Sequence, residues 1–284
     1  MDLHCHTSPE STDAKQTYLE LIHTAKKHGV QYLSITNHDS VDHQELFKQE
    51  TQRQGLHYIK GVEVTATLTN TAILGYQVEV DVLIYNYAWN EETFKTFIKK
   101  YKKENDKRFL QRKLLLEKKY GIDLSSAKAD RNMAELLFQA GKFPLLRDAK
   151  HFIKYDGSMK PFAKKHVSLE ETIVEAKKQG ATIIMAHPFR KTLKNLGPFT
   201  VEEMYKLMPY YHQLGVDGLE PYHHENMDED HYLVILEYSK KHNLLISIGS
   251  DRHDIRESQP THFFFDIKLD EMLLEKTINQ LFNK

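Results

Sequence analysis

The chain has 284 residues, 39 Lys+Arg against 40 Asp+Glu, a formal net charge of −1, 17 His and one Cys. The lone Cys5 excludes an intrachain disulfide, and the balanced charge argues against a dedicated duplex-DNA binder while allowing a small anionic substrate. No apolar run approaches the roughly 18 residues of a membrane helix, and a polar, His-containing stretch after Met1 lacks a signal-peptide pattern, so a cytoplasmic protein without membrane association is expected.

Short apolar runs predict strands at 2–5, 32–36, 57–64, 80–85, 182–186, 215–220 and 244–249. Helices are expected between them. Tyr18, Leu21, Ile22 and Ala25 share one apolar face that ends near Gly29, and Ser168 with Glu171, like Thr200 with Glu203, reads as a capping box. Seven strands alternating with helices predict an α/β fold built on a parallel sheet, and a closed barrel fits the count.

The alternation stops over 90–166, which predicts an inserted helical subdomain between two parts of one catalytic domain, 1–89 and 167–284. Between Lys95 and Lys119 the insertion carries eleven basic residues against three acidic ones. Such a run suits a solvated helix face or a surface that draws in phosphate-bearing substrates. Phe94, Phe97 and Tyr101 have helical spacing, which reads as core packing, with base stacking as the alternative.

Histidine is the commonest metal ligand, so position decides what 17 of them mean. His4 and His6 flank Cys5 on the first strand; alternation turns both imidazoles to one face and Cys5 to the other. His38 and Asp39 follow the second strand, Glu63 ends the third, Asp81 begins the fourth, His187 follows the fifth, Glu220 ends the sixth, and Asp251 and His253 follow the seventh. In a parallel barrel these strand ends converge. So many His and carboxylates exceed the needs of one tetrahedral ion and predict two or three divalent metals, Zn, Mn or Fe, with Glu63 the candidate bridge.

These segments resemble the PHP (polymerase and histidinol phosphatase) superfamily of metal-dependent phosphoesterases. The matching stretches are Asp-Leu-His-Cys-His-Thr at 2–7, Thr-Asn-His-Asp at 36–39, Gly-Val-Glu at 61–63, Ala-His-Pro at 186–188, Gly-Leu-Glu-Pro-Tyr at 218–222 and Gly-Ser-Asp-Arg-His at 249–253. The resemblance implies a distorted seven-stranded (βα) barrel with a trinuclear site. One ion would take His4, His6, Glu63 and Asp251; a second Glu63, Asp81 and His187; a third His38, His253 and a residue of the first loop, Asp13 or alternatively Glu10. Asp81 stands where the family usually has His, and Glu10-Ser11-Thr12-Asp13 replaces the usual Ser-Asp-Gly.

The insertion resembles the branch acting on nucleoside 3′,5′-bisphosphates or short RNA 5′ ends, although Arg147 lacks the usual neighbouring His. The expected reaction is phosphomonoester hydrolysis by a metal-bridging hydroxide beside Glu63. His187 or His253 could assist the leaving alkoxide, a role that conflicts with metal ligation. Arg147, Arg190 and Arg252 are the expected phosphate contacts, and His223 and His224 lie at the corresponding rim. Histidinol-phosphate hydrolysis, 5′–3′ exonuclease action on short RNA or DNA, and a non-catalytic metal-binding scaffold are the alternatives. The expected partner is a small phosphorylated substrate, a nucleotide or short RNA; no obligate protein partner is implied.

Overall fold

The computed structural model describes residues 1–11, 13–128, 130–190, 198–222, 229–254 and 270–282. The strands are β1 (Tyr32–Leu33), β2 (His57–Tyr58), β3 (Gly61–Leu68), β4 (Val78–Tyr85), β5 (Val167–Ser168), β6 (Thr182–Met185), β7 (Gly218–Tyr222) and β8 (Leu245–Ile248). The helices are α1 (Tyr18–Lys27), α2 (Gln44–Arg53), α3 (Thr71–Leu74), α4 (Glu91–Ile98), α5 (Lys102–Tyr120), α6 (Asp130–Gln139), α7 (Leu146–Tyr155), α8 (Leu169–Lys178), α9 (Val201–Leu214), α10 (Glu229–His242) and α11 (Glu271–Phe282). Two compact units divide them, residues 1–98 with 167–284, and residues 99–166.

In the first unit a six-stranded sheet has the order β5-β3-β4-β6-β7-β8, and β1 pairs with β2 separately. The expectation of an all-parallel sheet is corrected here, because β4 runs antiparallel to both β3 and β6. Only nine residues separate β3 from β4, too few for the crossover that parallel neighbours require. The predicted strand 57–64 divides into β2 and β3, and residues 2–5 join the sheets through single bridges rather than as a strand. Leu3 N–H donates to the Ile248 carbonyl at 2.8 Å, and Ser34 N–H donates to the Asp2 carbonyl at 3.0 Å. On the far side of β1, Ile59 N–H donates to the Leu33 carbonyl at 3.1 Å.

Period-two alternation sorts the central strands. Val62, Val64, Val82, Ile84, Ile183 and Met185 pack with Leu169, Ile173, Met204, Leu207 and Met208 from α8 and α9. The opposite face carries Leu83, Tyr85 and Ile184 in a second cluster with Leu3 and Ala186. Glu63 is the cross-strand partner of Leu83 and so lies on that second face, as does Asp81 two residues earlier on β4. Burial of apolar neighbours thereby carries two carboxylates inward. Cys5 joins Leu21, Ile22, Leu33 and Phe47 under α1 and α2, away from the imidazoles of His4 and His6.

Helix termini follow the sequence signals. Thr200 and Glu203 form a reciprocal capping box at α9, Ser168 Oγ accepts Glu171 N–H at 3.0 Å at α8, and Thr17 with Glu20 makes a further box at α1. Helix α4 belongs to the first unit. Phe94 is buried in its main core, and both Phe94 and Phe97 pack on Trp89, so these two rings are core residues rather than base-stacking platforms. In the second unit α5, α6 and α7 enclose Leu116, Met133, Leu137, Ala149 and Ile153. Arg112 is buried there between Asp130 and the Phe162 carbonyl. No helix among the described residues is long and apolar enough to cross a membrane.

Candidate metal centre

Glu63 is the hub of the site. Its Oε1 lies 3.3 Å from His4 Nε2 and 3.2 Å from His187 Nε2, while Oε2 lies 3.2 Å from His6 Nε2 and 2.8 Å from His38 Nδ1. One fully buried carboxylate thus faces four imidazoles drawn from three stretches of chain. Asp251 Oδ1 adds contacts of 3.4 Å to His4 Nε2 and 3.0 Å to His6 Nε2, and Asp81 Oδ2 stands 3.8 Å from His187 Nε2.

Among the described residues three sets bring ligand atoms within 4.8 Å of one another: His4, His6, Glu63 and Asp251; Glu63, Asp81 and His187; and His6, His38 and His253. Asp13 Oδ2 stands 3.3 Å from His253 Nε2 and 3.6 Å from His38 Nε2. Glu10 instead takes His43 Nδ1 at 2.7 Å and the Thr7 hydroxyl at 3.3 Å, so of the two loop acids Asp13 is the one beside the third set. His187 and Asp251 have positive φ, 26° and 48°, a region non-glycine residues rarely occupy. Such backbone persists where surrounding structure over-determines it, as functional sites do.

The backs of the imidazoles are held as well. His253 Nδ1 lies 2.8 Å from the Asp251 carbonyl, His6 Nδ1 lies 3.3 Å from Ser11 Oγ, and His4 Nδ1 lies 3.0 Å from Glu220 Oε2. Ser11 Oγ also accepts His38 N–H at 3.0 Å. Partners on one ring nitrogen fix the orientation of the other toward a metal. The sequence placed Glu220 at a strand end without a role, and nothing local in it pointed to Ser11.

The site is strongly polarised. Burial opposes charge on His38, but Glu63, assisted by Asp13 and Asp81, outweighs it and pushes the ring up to about 10. Burial likewise opposes charge on His4, where Glu220, Glu63 and Asp251 hold the pKa well above its ordinary value. Glu63 is held well below the usual carboxylate range against its own burial, chiefly by His38 and His4. Burial and the neighbouring Glu63 raise Asp81, whereas burial and His38 lower His6. His253 rises and Asp13 falls, each against burial, through the hydrogen bond they share.

These donors fit divalent ions. His4 Nε2, His6 Nε2 and Glu63 Oε2, from the first of these sets, and Asp81 Oδ1, from the second, are buried with no hydrogen-bond partner of ordinary geometry among the described residues. Cations held by these two sets would satisfy all four, displacing protons from the imidazoles.

Of the expected phosphate contacts, Arg190 is beside the site, with its guanidinium 3.0 Å from Asp251 Oδ2. Arg252 contributes through its backbone, its carbonyl accepting His6 N–H at 3.0 Å. Arg147 lies on α7 of the second unit, exposed and 3.6 Å from Asp148. His223 and His224 fall outside the described residues.

The PHP domain model matches residues 2–259. The chain belongs to the PHP domain family. A 5′-3′ exoribonuclease of Haemophilus influenzae is 27% identical over 266 residues, covering 89% of each chain. Among solved structures, a Bifidobacterium adolescentis protein provisionally named a metal-dependent phosphoesterase superposes with a TM-score of 0.70 at 22% identity, over 98% of this chain and 94% of that one. A Chromobacterium violaceum amidohydrolase with bound sulfate and no metal gives 0.68 at 21% identity, over 91% and 89%. Both share the fold of this PHP domain.

Proposed function

We propose that this PHP-family protein is a metal-dependent hydrolase of phosphoester bonds, acting on phosphomonoesters of small nucleotides of the nucleoside 3′,5′-bisphosphate type. The observation that carries the reading is Glu63, one buried carboxylate shared by His4, His6, His38 and His187 and common to two of the three ligand sets. Divalent ions bound in this centre would lower the pKa of a coordinated water toward ~7, orient phosphoryl oxygens and neutralise developing charge.

In this reading His4, His6, Glu63 and Asp251 hold one ion, Glu63, Asp81 and His187 a second, and His38, His253 and Asp13 a third. His187 and His253 serve as ligands, because their Nε2 atoms face the carboxylates of the cluster. Arg190, braced by Asp251, presents a guanidinium to a phosphoryl group, a geometry that matches paired oxygens. The bridges from Asp2 to Leu33 and from Cys5 to Arg252 support reading the two sheets as a closed, distorted barrel. A 5′–3′ exonuclease acting on short RNA is the second reading, supported by the name of the H. influenzae relative.

The test is phosphate release from Mn-supplemented protein on adenosine 3′,5′-bisphosphate, histidinol phosphate, AMP and a short 5′-phosphorylated RNA, with metals counted on the same sample. Preference for the bisphosphate is expected. Preference for RNA would select the exonuclease, turnover of histidinol phosphate alone would overturn the nucleotide assignment, and silence on all four at full metal loading would overturn the enzyme.

A further inference from the structure

Glu220 belongs to none of the three ligand sets, yet it is 1% exposed and lies against two of them. Its Oε1 and Oε2 stand 3.2 and 3.0 Å from His4 Nδ1, the nitrogen on the far side of the ring from Glu63. The same Oε2 accepts the backbone N–H of His187 at 3.0 Å. We propose that Glu220 is a positioning residue that locks His4 and the His187 turn into one frame, so that two separate ligand sets keep a fixed relation across Glu63. The proposal deepens the metal-centre reading and rests on it.

The argument is geometric. His4 can present Nε2 to an ion only if its remaining proton sits on Nδ1, and a carboxylate, which accepts and never donates, enforces that tautomer. His187 occupies a positive φ of 26°, a conformation that costs free energy for a side-chain-bearing residue, and the bond from its N–H to Glu220 is one of the contacts that holds the turn there. The two imidazoles so anchored stack with centroids 5.7 Å apart and address the same oxygen, Glu63 Oε1, from 3.3 and 3.2 Å. Glu220 reaches both because β7 lies beside β6, whose end carries the His187 turn, and because β8, on its other side, is hydrogen-bonded to the His4 stretch. An ion ligand would need its oxygens on the Nε2 side of His4; those of Glu220 are on the other.

Glu220→Gln keeps the shape but offers an amide, which can turn an N–H toward Nδ1 and drive the His4 proton to Nε2, where it opposes an ion. Affinity of the protein for Zn²⁺, read by competition with a chromophoric chelator, should fall 10–100-fold. In the Zn²⁺-loaded, ¹⁵N-histidine-labelled protein the His4 Nδ1–H resonance should be lost, while circular dichroism and the urea midpoint of the metal-free protein stay near wild type. Wild-type Zn²⁺ affinity in the folded variant would overturn the proposal. Should Glu220→Gln fail to fold, Glu220→Asp, which withdraws the carboxylate by one methylene, is read by the same two measurements. A wild-type protein that binds Zn²⁺ but turns over no phosphoester would overturn the proposed function and leave this inference to the affinity result.

Discussion

Gly249 lies so close to His4 that a Cβ on the glycine would fall 2.1 Å from the His4 Cβ and 2.7 Å from its backbone nitrogen. The chain leaving β8 therefore packs flat against the residue that carries the first imidazole, and the absence of a side chain at 249 sets where His4 can be. Gly249→Ala must displace backbone rather than a flexible side chain. Overpacking of this kind costs about 1–3 kcal/mol, so a lower denaturation midpoint in the metal-free protein and weaker Zn²⁺ binding are expected together. A variant with wild-type values for both would show that the approach is not enforced.

The two acids of the first loop should separate cleanly. Asp13 faces His38 and His253, whereas Glu10 is occupied by His43 and Thr7. Elemental analysis should find about one ion fewer per chain in Asp13→Asn and no change in Glu10→Gln. His4→Ala combined with His6→Ala should remove most of the metal and reduce turnover by a hundredfold or more, about 3 kcal/mol of transition-state stabilisation. Full metal content in that double variant would contradict the site.

Arg190 contacts Asp251 at 3.0 Å and is a quarter exposed, which leaves its guanidinium within reach of a phosphoryl group. Loss of a charge-assisted hydrogen bond is worth roughly 1.5–3 kcal/mol. Arg190→Ala should accordingly raise KM for a phosphomonoester about 10–100-fold and weaken inhibition by inorganic phosphate in parallel. Unchanged phosphate inhibition would confine Arg190 to bracing Asp251.

Cys5 is buried, and its thiol donates to the Ser34 carbonyl at 3.0 Å. Burial pushes the thiol pKa well above its ordinary value; Asp2 adds to this, Arg252 partly offsets it, and Asp251 adds again. The native protein should resist a thiol reagent at pH 8 and react on unfolding. Because the folded pKa exceeds the unfolded value of about 8.5, the stability this group contributes is complete below that pH and declines as pH rises above it. Urea midpoints measured from pH 8 to 10 should fall, and fall less steeply in Cys5→Ala. Equal slopes would remove Cys5 from the account.

Much of the centre was legible because strand alternation is a local rule. His4 and His6 two residues apart, with Cys5 turned to the apolar cluster under α1 and α2, needs nothing beyond a period of two. Glu63 and Asp81 were legible as ligand-type residues on strands, and the folded register places both on the face of Leu83 and Tyr85. The direction of β4 was not legible from alternation, which is the same for parallel and antiparallel neighbours; the short link between β3 and β4 decided it.

What the sequence determined by itself, then, is the inventory of donors and their facing along each strand, since both follow from residue identity and backbone period. Tertiary structure alone decided which donors meet. His4 and Glu220 are 216 positions apart, and the nearness of Asp13, and not Glu10, to His38 and His253 goes with a first loop held by Ser11 Oγ, which donates to Asn37 Oδ1 at 3.1 Å. Such contacts form only when sheet pairing and core burial bring distant strands into register, and no local pattern encodes a distance across the fold.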